Sequence, residues 1–190
     1  MIGSIELSKA YRLLNHGPTV LVSTQHGNQS NVMAAAWNMP LDFDPPKIAI
    51  VIDKKTFTRE LLEASGSFAI NVPCYAQAEM VVKVGSSTGR ELLGKDEDNK
   101  FSAFSLPSFT ASRIDAPLLE GCVAWLECKV IPELHIQATY DLFVAEVVAA
   151  HADDRVFSDG RWHFDGHDEL RTIHHIAGGA FMAIGEAFKT

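Results

Sequence analysis

Cysteine is scarce in this chain of 190 residues, and the three present, Cys74, Cys122 and Cys128, are odd in number and widely spaced. A disulfide framework of the kind used by small secreted proteins is therefore not expected, and reduced thiols in a cytoplasmic protein fit better. No stretch approaches the roughly 20 apolar residues of a membrane-spanning helix. The first 15 residues carry charged side chains through their middle, which argues against a signal peptide.

Positive charge is also in short supply. The chain has 16 Lys and Arg residues against 24 Asp and Glu residues, for a formal net charge of −8. Proteins that bind nucleic acid or anionic membranes cluster Lys and Arg, because release of counterions drives that binding. We therefore expect neither nucleic acid nor a membrane as a partner, and a phosphate group would have to be held by a local group of cations.

Several signatures of nucleotide and hydrolase chemistry are missing. No Gly-x-Gly-x-x-Gly opens a predicted helix, and there is no Gly-x-x-x-x-Gly-Lys-Ser/Thr, so Rossmann and P-loop enzymes are disfavoured. No Gly-x-Ser-x-Gly elbow or catalytic triad can be argued from spacing, and we assign no catalytic residue. With 47% hydrophobic and 21% charged residues, the composition is that of one globular domain over residues 1–190.

What the sequence does contain is a series of β-type runs with helical pieces between them. The runs do not alternate regularly with helices, so the pattern favours a mainly β fold, a barrel with helical insertions, over a doubly wound sheet. Residues 85–99 are polar and glycine-rich and predict a long exposed loop. Predicted strands cover residues 19–24, 31–37, 47–52, 68–72, 121–131 and 140–150, and predicted helices cover residues 7–15, 58–64 and 76–83.

The strongest local group of positive charge is formed by Lys54, Lys55 and Arg59, where a buried strand gives way to a helix. A helix N-terminus offers unpaired N–H groups and the positive end of a dipole, which together bind anions. Thr56 and Thr58 add two hydroxyl groups, and the set would suit a phosphate monoester. The alternative is a helix capped by Thr56 or Thr58, with solvated charges around it.

Histidines are concentrated near the C-terminus, at His163, His167, His174 and His175. Histidine is a common metal ligand, and acidic residues lie among these four. Their spacing matches no compact motif such as His-Glu-x-x-His, so we expect surface or interface histidines and no metal site.

One ordered set of motifs resembles the flavin reductase-like family, and in particular its flavoredoxin branch. The resemblance begins with Asn31-Val-Met-Ala-Ala-Ala-Trp37, followed by Pro40 and Asp44-Pro45-Pro46. It continues in the family's order as far as residue 148, and each motif is short while the ordered set is specific. The later motifs are Thr58-x-x-x-Leu62, Phe68-Ala-Ile-Asn71-Val72, Thr88-Gly89-Arg90, Lys100-Phe101, Pro117-Leu118 and Leu142-Phe143-Val144-Ala145-Glu146.

The resemblance implies an FMN-binding split β-barrel of the Greek-key type, with one non-covalent FMN per subunit near the interface of a homodimer. Small side chains suit the ring site, because a flat ring needs close approach of the backbone. The phosphate would lie where the cations already predict an anion site. The implied cofactor-binding residues are Asn31, Met33, Ala34, Ala35, Ala36 and Trp37 along the isoalloxazine ring, Ile52, Asp53 and Lys54 beside them, Lys54, Lys55, Thr56 and Thr58 at the phosphate, and Asn71 and Val72 at the border.

The implied function is an oxidoreductase that passes electrons from NAD(P)H through FMN to a small acceptor or a redox partner protein. The acceptor could be free flavin, a ferric chelate or a redox protein. One departure keeps an alternative open, since Tyr140 stands where many family members have a histidine linked to nicotinamide binding. That alternative is an FMN-binding electron carrier or sensor without efficient NAD(P)H oxidation. A third possibility is a dimeric barrel that binds another phosphorylated ligand and catalyses nothing.

Overall fold

A computed structural model describes residues 18–188 and 190 of the chain, and the helix predicted over residues 7–15 lies outside them. The described part is rich in strands, which confirms the prediction of a mainly β fold with helical insertions. Its helices are α1 (Phe57–Ser65), α2 (Ala78–Gly85), α3 (Lys100–Ala103) and α4 (Leu134–Tyr140). Its strands are β1 (Val20–His26), β2 (Gln29–Ala35), β3 (Asn38–Phe43), β4 (Pro46–Val51), β5 (Ser67–Val72), β6 (Ser108–Thr110), β7 (Pro117–Leu119), β8 (Ala124–Ile131), β9 (Leu142–Ala152), β10 (Phe157–Ser158), β11 (Arg161–Trp162), β12 (Ile173–Ala177) and β13 (Ala180–Ala183).

Seven of these strands form one antiparallel sheet in the order β2-β1-β5-β8-β9-β4-β3. Strands β2 and β3 follow each other in the chain but lie at opposite edges of this sheet. A flat sheet of seven strands would be about 29 Å wide. The two residues that join Ala35 to Asn38 can span no more than about 11 Å. The sheet must therefore roll into a barrel, and the gap between β2 and β3 is where the barrel stays open.

The alternation of side chains along the strands gives the rolled sheet two apolar faces. One face forms the main core with α1, and it includes Val22 of β1, Ile50 of β4 and Leu62 of α1. The other face is covered by α2 and the β12–β13 hairpin, and it includes Leu21 of β1 and Val32 of β2. Helix α1 begins after the N-cap residue Thr56 and ends at Gly66, whose φ of 70° lies in the left-handed region.

The structure has more elements than the sequence predicts. Strand β3 is one of them, and because it is an edge strand with a bulge after Pro40, it tolerates the proline. Helix α4 is another, in a region that the sequence predicts only as the connection between two strands. The predicted loop at residues 85–99 contains a short 3-10 turn, Gly89–Leu92, in which Gly89 is buried.

Within the described residues, the structure has no helix of the length and apolarity needed to cross a lipid bilayer.

Candidate functional site

One edge of β2 lies at the open gap of the barrel. Within the described residues, β2 pairs only with β1, so the N–H and C=O groups on its other side have no neighbouring strand. Such an edge is a row of hydrogen-bonding groups that a flat polar molecule can use in place of another strand. The side chains at the end of this row, Ala34, Ala35 and Ala36, are small, so a ring can approach the backbone closely.

A cavity of about 390 Å³ lies between the end of β2 and the end of β4, and we call it the tyrosine pocket. The cavity brings many of the predicted ring-binding residues together with Tyr140 and Asp141 at the end of α4. The sequence did not predict that the end of this segment would lie beside them. Its lining is Met33, Ala34, Ala35, Ala36, Trp37, Val51, Asp53, Tyr140 and Asp141. Of its aromatic residues, Trp37 is 55% exposed and Tyr140 is 64% exposed.

A second cavity, of about 400 Å³, lies on the other side of the same alanines, and we call it the hairpin pocket. Helix α2 forms one wall and the β12–β13 hairpin forms another. Its lining is Thr19, Ala34, Ala35, Ala36, Val81, Val82, Gly85, Ser86, His175, Gly178, Gly179 and Phe181. The rings of His175 and Phe181 meet edge to face with their centroids 5.4 Å apart.

The predicted anion site lies at the turn that leads from β4 into α1. Asp53 organises this turn, because its backbone oxygen accepts hydrogen bonds from both Thr56 N and Thr56 Oγ1, and its Oδ1 accepts one from Lys55 N. Thr56 Oγ1 also accepts a hydrogen bond from Arg59 N. Thr56 therefore forms the helix cap that the sequence offered as an alternative. Lys54 and Lys55 are exposed, and neither forms an ion pair within the described part of the chain.

Arg59, counted among three cations from the sequence, does not take part in this anion site, and that expectation was wrong. Arg59 is 7% exposed and turns inward. Its Nε donates to Glu63 Oε1 at 2.7 Å, and its Nη1 donates to Asp141 Oδ1 at 2.5 Å and to Ile52 O at 3.2 Å. Nη2 donates to Gln137 O at 2.9 Å. Burial by itself lowers the pKa of Arg59, but the hydrogen bonds to Glu63 and Asp141 outweigh it, so the pKa is raised.

Thr58 and Asn31 also lie inside the protein. Thr58 is fully buried, and its Oγ1 accepts a hydrogen bond of 2.8 Å from Asn31 Nδ2. The other carboxamide atom, Asn31 Oδ1, is buried and has no hydrogen-bond partner among the described residues. Gly89 lies directly against this amide: a Cβ on Gly89 would overlap Oδ1 and lie 2.9 Å from Cγ. The Thr58 hydroxyl is thus engaged by Asn31 inside the protein.

The segment after α2 packs against α1 and against the end of α2. Arg90 forms an ion pair with Glu60 of α1 and lies over the Phe57 ring, 5.4 Å from its centroid. Lys100 is buried and donates from Nζ to Val84 O at 2.8 Å and to Ser87 O at 2.7 Å. These bonds fix the end of α2, although burial lowers the pKa of Lys100 to about 8.

The remaining predicted residues are further from the cavities. Ile52 and Val72 both belong to the main core: Ile52 is fully buried, and Val72 is 8% exposed. Asn71 is fully buried and satisfied by the protein: Nδ2 donates to Leu21 O and Ser23 Oγ, and Oδ1 accepts from Leu119 N. These contacts hold the second apolar face in place behind the β2 edge.

The C-terminal histidines do not converge. Among the described residues, no group of three or more His, Cys, Asp or Glu side chains could hold a metal ion. His163 Nε2 hydrogen-bonds Ser158 Oγ at 2.8 Å. The three cysteines are free and buried, and burial raises the pKa of Cys128 to about 12.

The sequence reasoning missed the residues contributed by the hairpin. Gly178-Gly179 between two apolar runs is a turn signal, and it could have placed His175 and Phe181 side by side across a hairpin. Nothing in the sequence indicated that this hairpin would reach the alanines of β2, because the two segments are about 140 positions apart.

The geometry suits a flat ring with a polar rim and an anionic tail. The β2 edge supplies hydrogen-bonding groups, the alanines supply close approach, and Lys54 and Lys55 supply positive charge at the start of α1. Fold and site together define a split-barrel protein with a strand edge and two cavities at its opening. In a comparison with known proteins, residues 12–170 match the family described as the flavin reductase like domain. The chain belongs to the flavin reductase-like family, and its barrel is that family's split barrel.

Individual relatives agree with this assignment. The chain is 46% identical to the uncharacterized protein YddH of Escherichia coli (strain K12) over 185 residues, covering 96% of this chain and 94% of YddH. A crystal structure of an FMN-binding domain of a flavin reductases-like enzyme from Shewanella baltica OS155 is 50% identical, with a TM-score of 0.85 over 99% of this chain and 96% of that one. The flavoredoxin of Desulfovibrio vulgaris (Miyazaki F) shares the fold, with 24% identity and a TM-score of 0.76 over 92% and 90% of the two chains.

Proposed function

We propose that this protein is an FMN-dependent oxidoreductase that takes electrons from NAD(P)H and passes them to a small acceptor or a partner protein. The observation that carries the proposal is the edge of β2 that has no partner strand within the described residues, with a cavity at its alanine end and two exposed lysines at the turn before α1, whose Thr58 hydrogen-bonds Asn31 of β2. The Shewanella baltica relative is described as FMN-binding, which supports the same cofactor here.

The residues present fit FMN in three respects. The ring's polar rim would pair with the backbone of β2 from Met33 to Ala35, in the way that an added strand would. The ribityl chain would follow the edge toward Asn31. The phosphate would lie at Lys54 and Lys55, where the first N–H groups of α1 have no acceptor within the helix.

Once bound, FMN would supply the redox chemistry, by accepting a hydride from nicotinamide and releasing electrons to an acceptor. The chain's own residues would bind, orient and shield it. The β2 backbone would hold the ring, and Tyr140 and Trp37 would flank the mouth of the tyrosine pocket. Arg59 would hold the two sides of this pocket at a fixed distance, because it joins the end of β4 to Asp141 of the α4 C-terminus.

The anion site is tested by the double substitution Lys54→Gln, Lys55→Gln. We expect it to weaken FMN by about tenfold or more and riboflavin by less than about threefold, since only FMN carries the phosphate that these cations would contact. Fluorescence titration of the flavin-free protein measures both affinities. Lys129→Gln with Arg161→Gln removes the same charge from two other exposed positions and should change neither. Equal weakening of FMN and riboflavin would show that the phosphate is held elsewhere.

Tyr140 favours a second candidate, an electron carrier or sensor that does not oxidise NAD(P)H efficiently. Its side chain is exposed at the mouth of the tyrosine pocket, where the resemblance expects a histidine. An aromatic ring there can also stack on a nicotinamide, which is why we prefer the reductase.

The two candidates are separated by anaerobic mixing of the FMN-loaded protein with NADH and with NADPH. We expect at least one nucleotide to bleach the flavin, and Tyr140→Ala to slow bleaching by about threefold to tenfold because a stacking surface is lost. Tyr140→Phe keeps the ring and should behave like the original protein. A spectrum that neither nucleotide bleaches, but dithionite does, would favour the carrier or sensor.

A homodimer is part of the proposal. Strand β3 lies at a sheet edge and carries Met39, Leu41 and Phe43 with 56%, 49% and 92% exposure, directly after Trp37. Exposed apolar rows of this kind mark interfaces. Because this row begins at the tyrosine pocket, a second copy seated on it would also help to enclose the flavin.

The dimer is tested by sedimentation velocity on the FMN-loaded protein. We expect the original chain to sediment as a dimer and Phe43→Asp as a monomer, since a charge would be buried in the interface. Phe188→Asp, which changes another highly exposed phenylalanine, is the matched control and should remain dimeric. A monomeric original chain at micromolar concentration would contradict the proposal.

A further inference from the structure

The hairpin pocket has a chemistry that the proposed cofactor site does not need. It is similar in volume to the tyrosine pocket, but the two cavities share only the three alanines at the end of β2. Among the residues that the structure describes, no Lys, Arg, Asp or Glu lines it. Its walls are Val81, Val82 and Phe181, with His175 as its titratable group.

This composition selects against charged ligands. A nicotinamide dinucleotide or a ferric chelate carries charges that would lose water here without meeting an opposite charge, and such burial is costly. An uncharged aromatic ring, by contrast, would bury its faces against valine and phenylalanine side chains. The edge-to-face contact of His175 and Phe181 fixes one wall, and His175 N donates to Thr19 Oγ1, which anchors the hairpin to the start of β1.

The position of the pocket relative to β2 gives it a role. Hydrogen bonds to a carbonyl prefer the plane of the C=O group, so a ring paired with the β2 edge would continue the plane of the sheet. Alternate side chains of β2 mark the two sides of that plane: Val32 and Ala34 lie on the α2 side, and Met33 and Ala35 on the side of the main core. One face of the ring would then turn to the hairpin pocket and the other to the tyrosine pocket.

We propose that the hairpin pocket binds the electron-accepting substrate, and that this substrate is an uncharged planar aromatic compound of the quinone class. The inference rests on the proposed function, because it assigns the acceptor of that same reaction. Reduction of a quinone to its hydroquinone takes two electrons and two protons. NAD(P)H supplies a hydride and solvent supplies a proton, so NAD(P)+ and the hydroquinone leave. The nicotinamide would use the tyrosine pocket, so the two substrates would occupy separate sites.

The test is equilibrium dialysis of the full-length, oxidised, FMN-loaded protein with the uncharged naphthoquinone menadione. Naphthoquinone sulfonate, which has a similar ring and a negative charge, should bind at least about tenfold more weakly. Val82→Trp fills the pocket from an exposed helix position and should weaken menadione by about tenfold or more while FMN affinity stays within about threefold. Val82→Ala leaves the pocket open and removes only a small part of its wall, so it should weaken menadione much less than Val82→Trp does. If Val82→Trp fails to fold, as judged by circular dichroism, Phe181→Ala takes its place, and loss of that wall should weaken menadione in the same way.

Four outcomes would overturn the proposal. Menadione binding that Val82→Trp and Phe181→Ala both leave unchanged would place the ligand elsewhere. Menadione that displaces FMN, or a Val82→Trp variant that loses both ligands, would assign the pocket to the cofactor. Naphthoquinone sulfonate binding as tightly as menadione would refute the selection for uncharged rings. A protein that binds no FMN would defeat the proposed function instead, and the Val82 pair measured on the flavin-free chain would still decide what the pocket binds.

Discussion

Replacing Arg59 by methionine is expected to lower the free energy of unfolding by about 2–4 kcal/mol, because it removes a buried cation and leaves its partners unpaired. Asp141 would lose a partner at 2.5 Å, and two buried carbonyl groups, Ile52 O and Gln137 O, would lose their donors. Urea unfolding monitored by tryptophan fluorescence measures the loss.

The same substitution should also weaken FMN, although Arg59 lines neither the tyrosine pocket nor the hairpin pocket. The end of β4 and the end of α4 are held together by Arg59 and by a bond from Ile52 N to Asp141 O. Without Arg59, the walls carrying Asp53 and Tyr140 would lose their fixed spacing. Glu63→Gln is the control, because Glu63 is half exposed and its pair with Arg59 contributes no more than about 0.5 kcal/mol. A fully stable Arg59→Met protein would show that packing alone holds these elements together.

Gly89→Ala is expected to have the second largest effect, a loss of about 1–3 kcal/mol of stability together with weaker FMN binding. The added Cβ would overlap Asn31 Oδ1 and would lie 3.2 Å from Phe57 Cδ1. Neither neighbour can yield freely, since Asn31 is held by its bond to Thr58 and Phe57 is 5% exposed. The turn at Gly89–Leu92 would move away from α1, or Asn31, on the β2 edge that the flavin would use, would be displaced.

Thermal unfolding and FMN titration measure the two effects of Gly89→Ala. Gly185→Ala is the matched control, because a Cβ at Gly185 would meet no atom within 4 Å. Unchanged stability and unchanged FMN affinity in Gly89→Ala would mean that the turn and Asn31 can separate at no cost, contrary to the close contact in the structure.

The course of the main strands could be predicted from sequence because their patterns are local. The apolar run of β4 and the Gly66 end of α1 depend on neighbouring residues only. Strand β3 escaped prediction because its apolar side chains face outward and Pro40 argues against a strand. Helix α4 escaped because its N-cap residue, Glu133, makes no capping hydrogen bond and so gives no start signal.

The candidate site was predictable in its outline and not in its detail. The cations at residues 54, 55 and 59 are adjacent in sequence, but Arg59 turns inward to a partner 82 positions away. Thr58 likewise turns to Asn31, 27 positions away. Tertiary packing decides whether such a side chain faces solvent or a distant partner. A short stretch of sequence does not show which of the two it will be.

The central claim is that FMN binds along the edge of β2 that faces away from β1. It is tested most directly by the visible absorption spectrum of the purified protein with added FMN after gel filtration. The account predicts flavin absorption that co-elutes with the protein in equimolar amount, and that is lost in a variant with Ala35→Trp, where the ring's approach to β2 is blocked. Absence of flavin absorption from the original protein, or its persistence in Ala35→Trp, would contradict the claim.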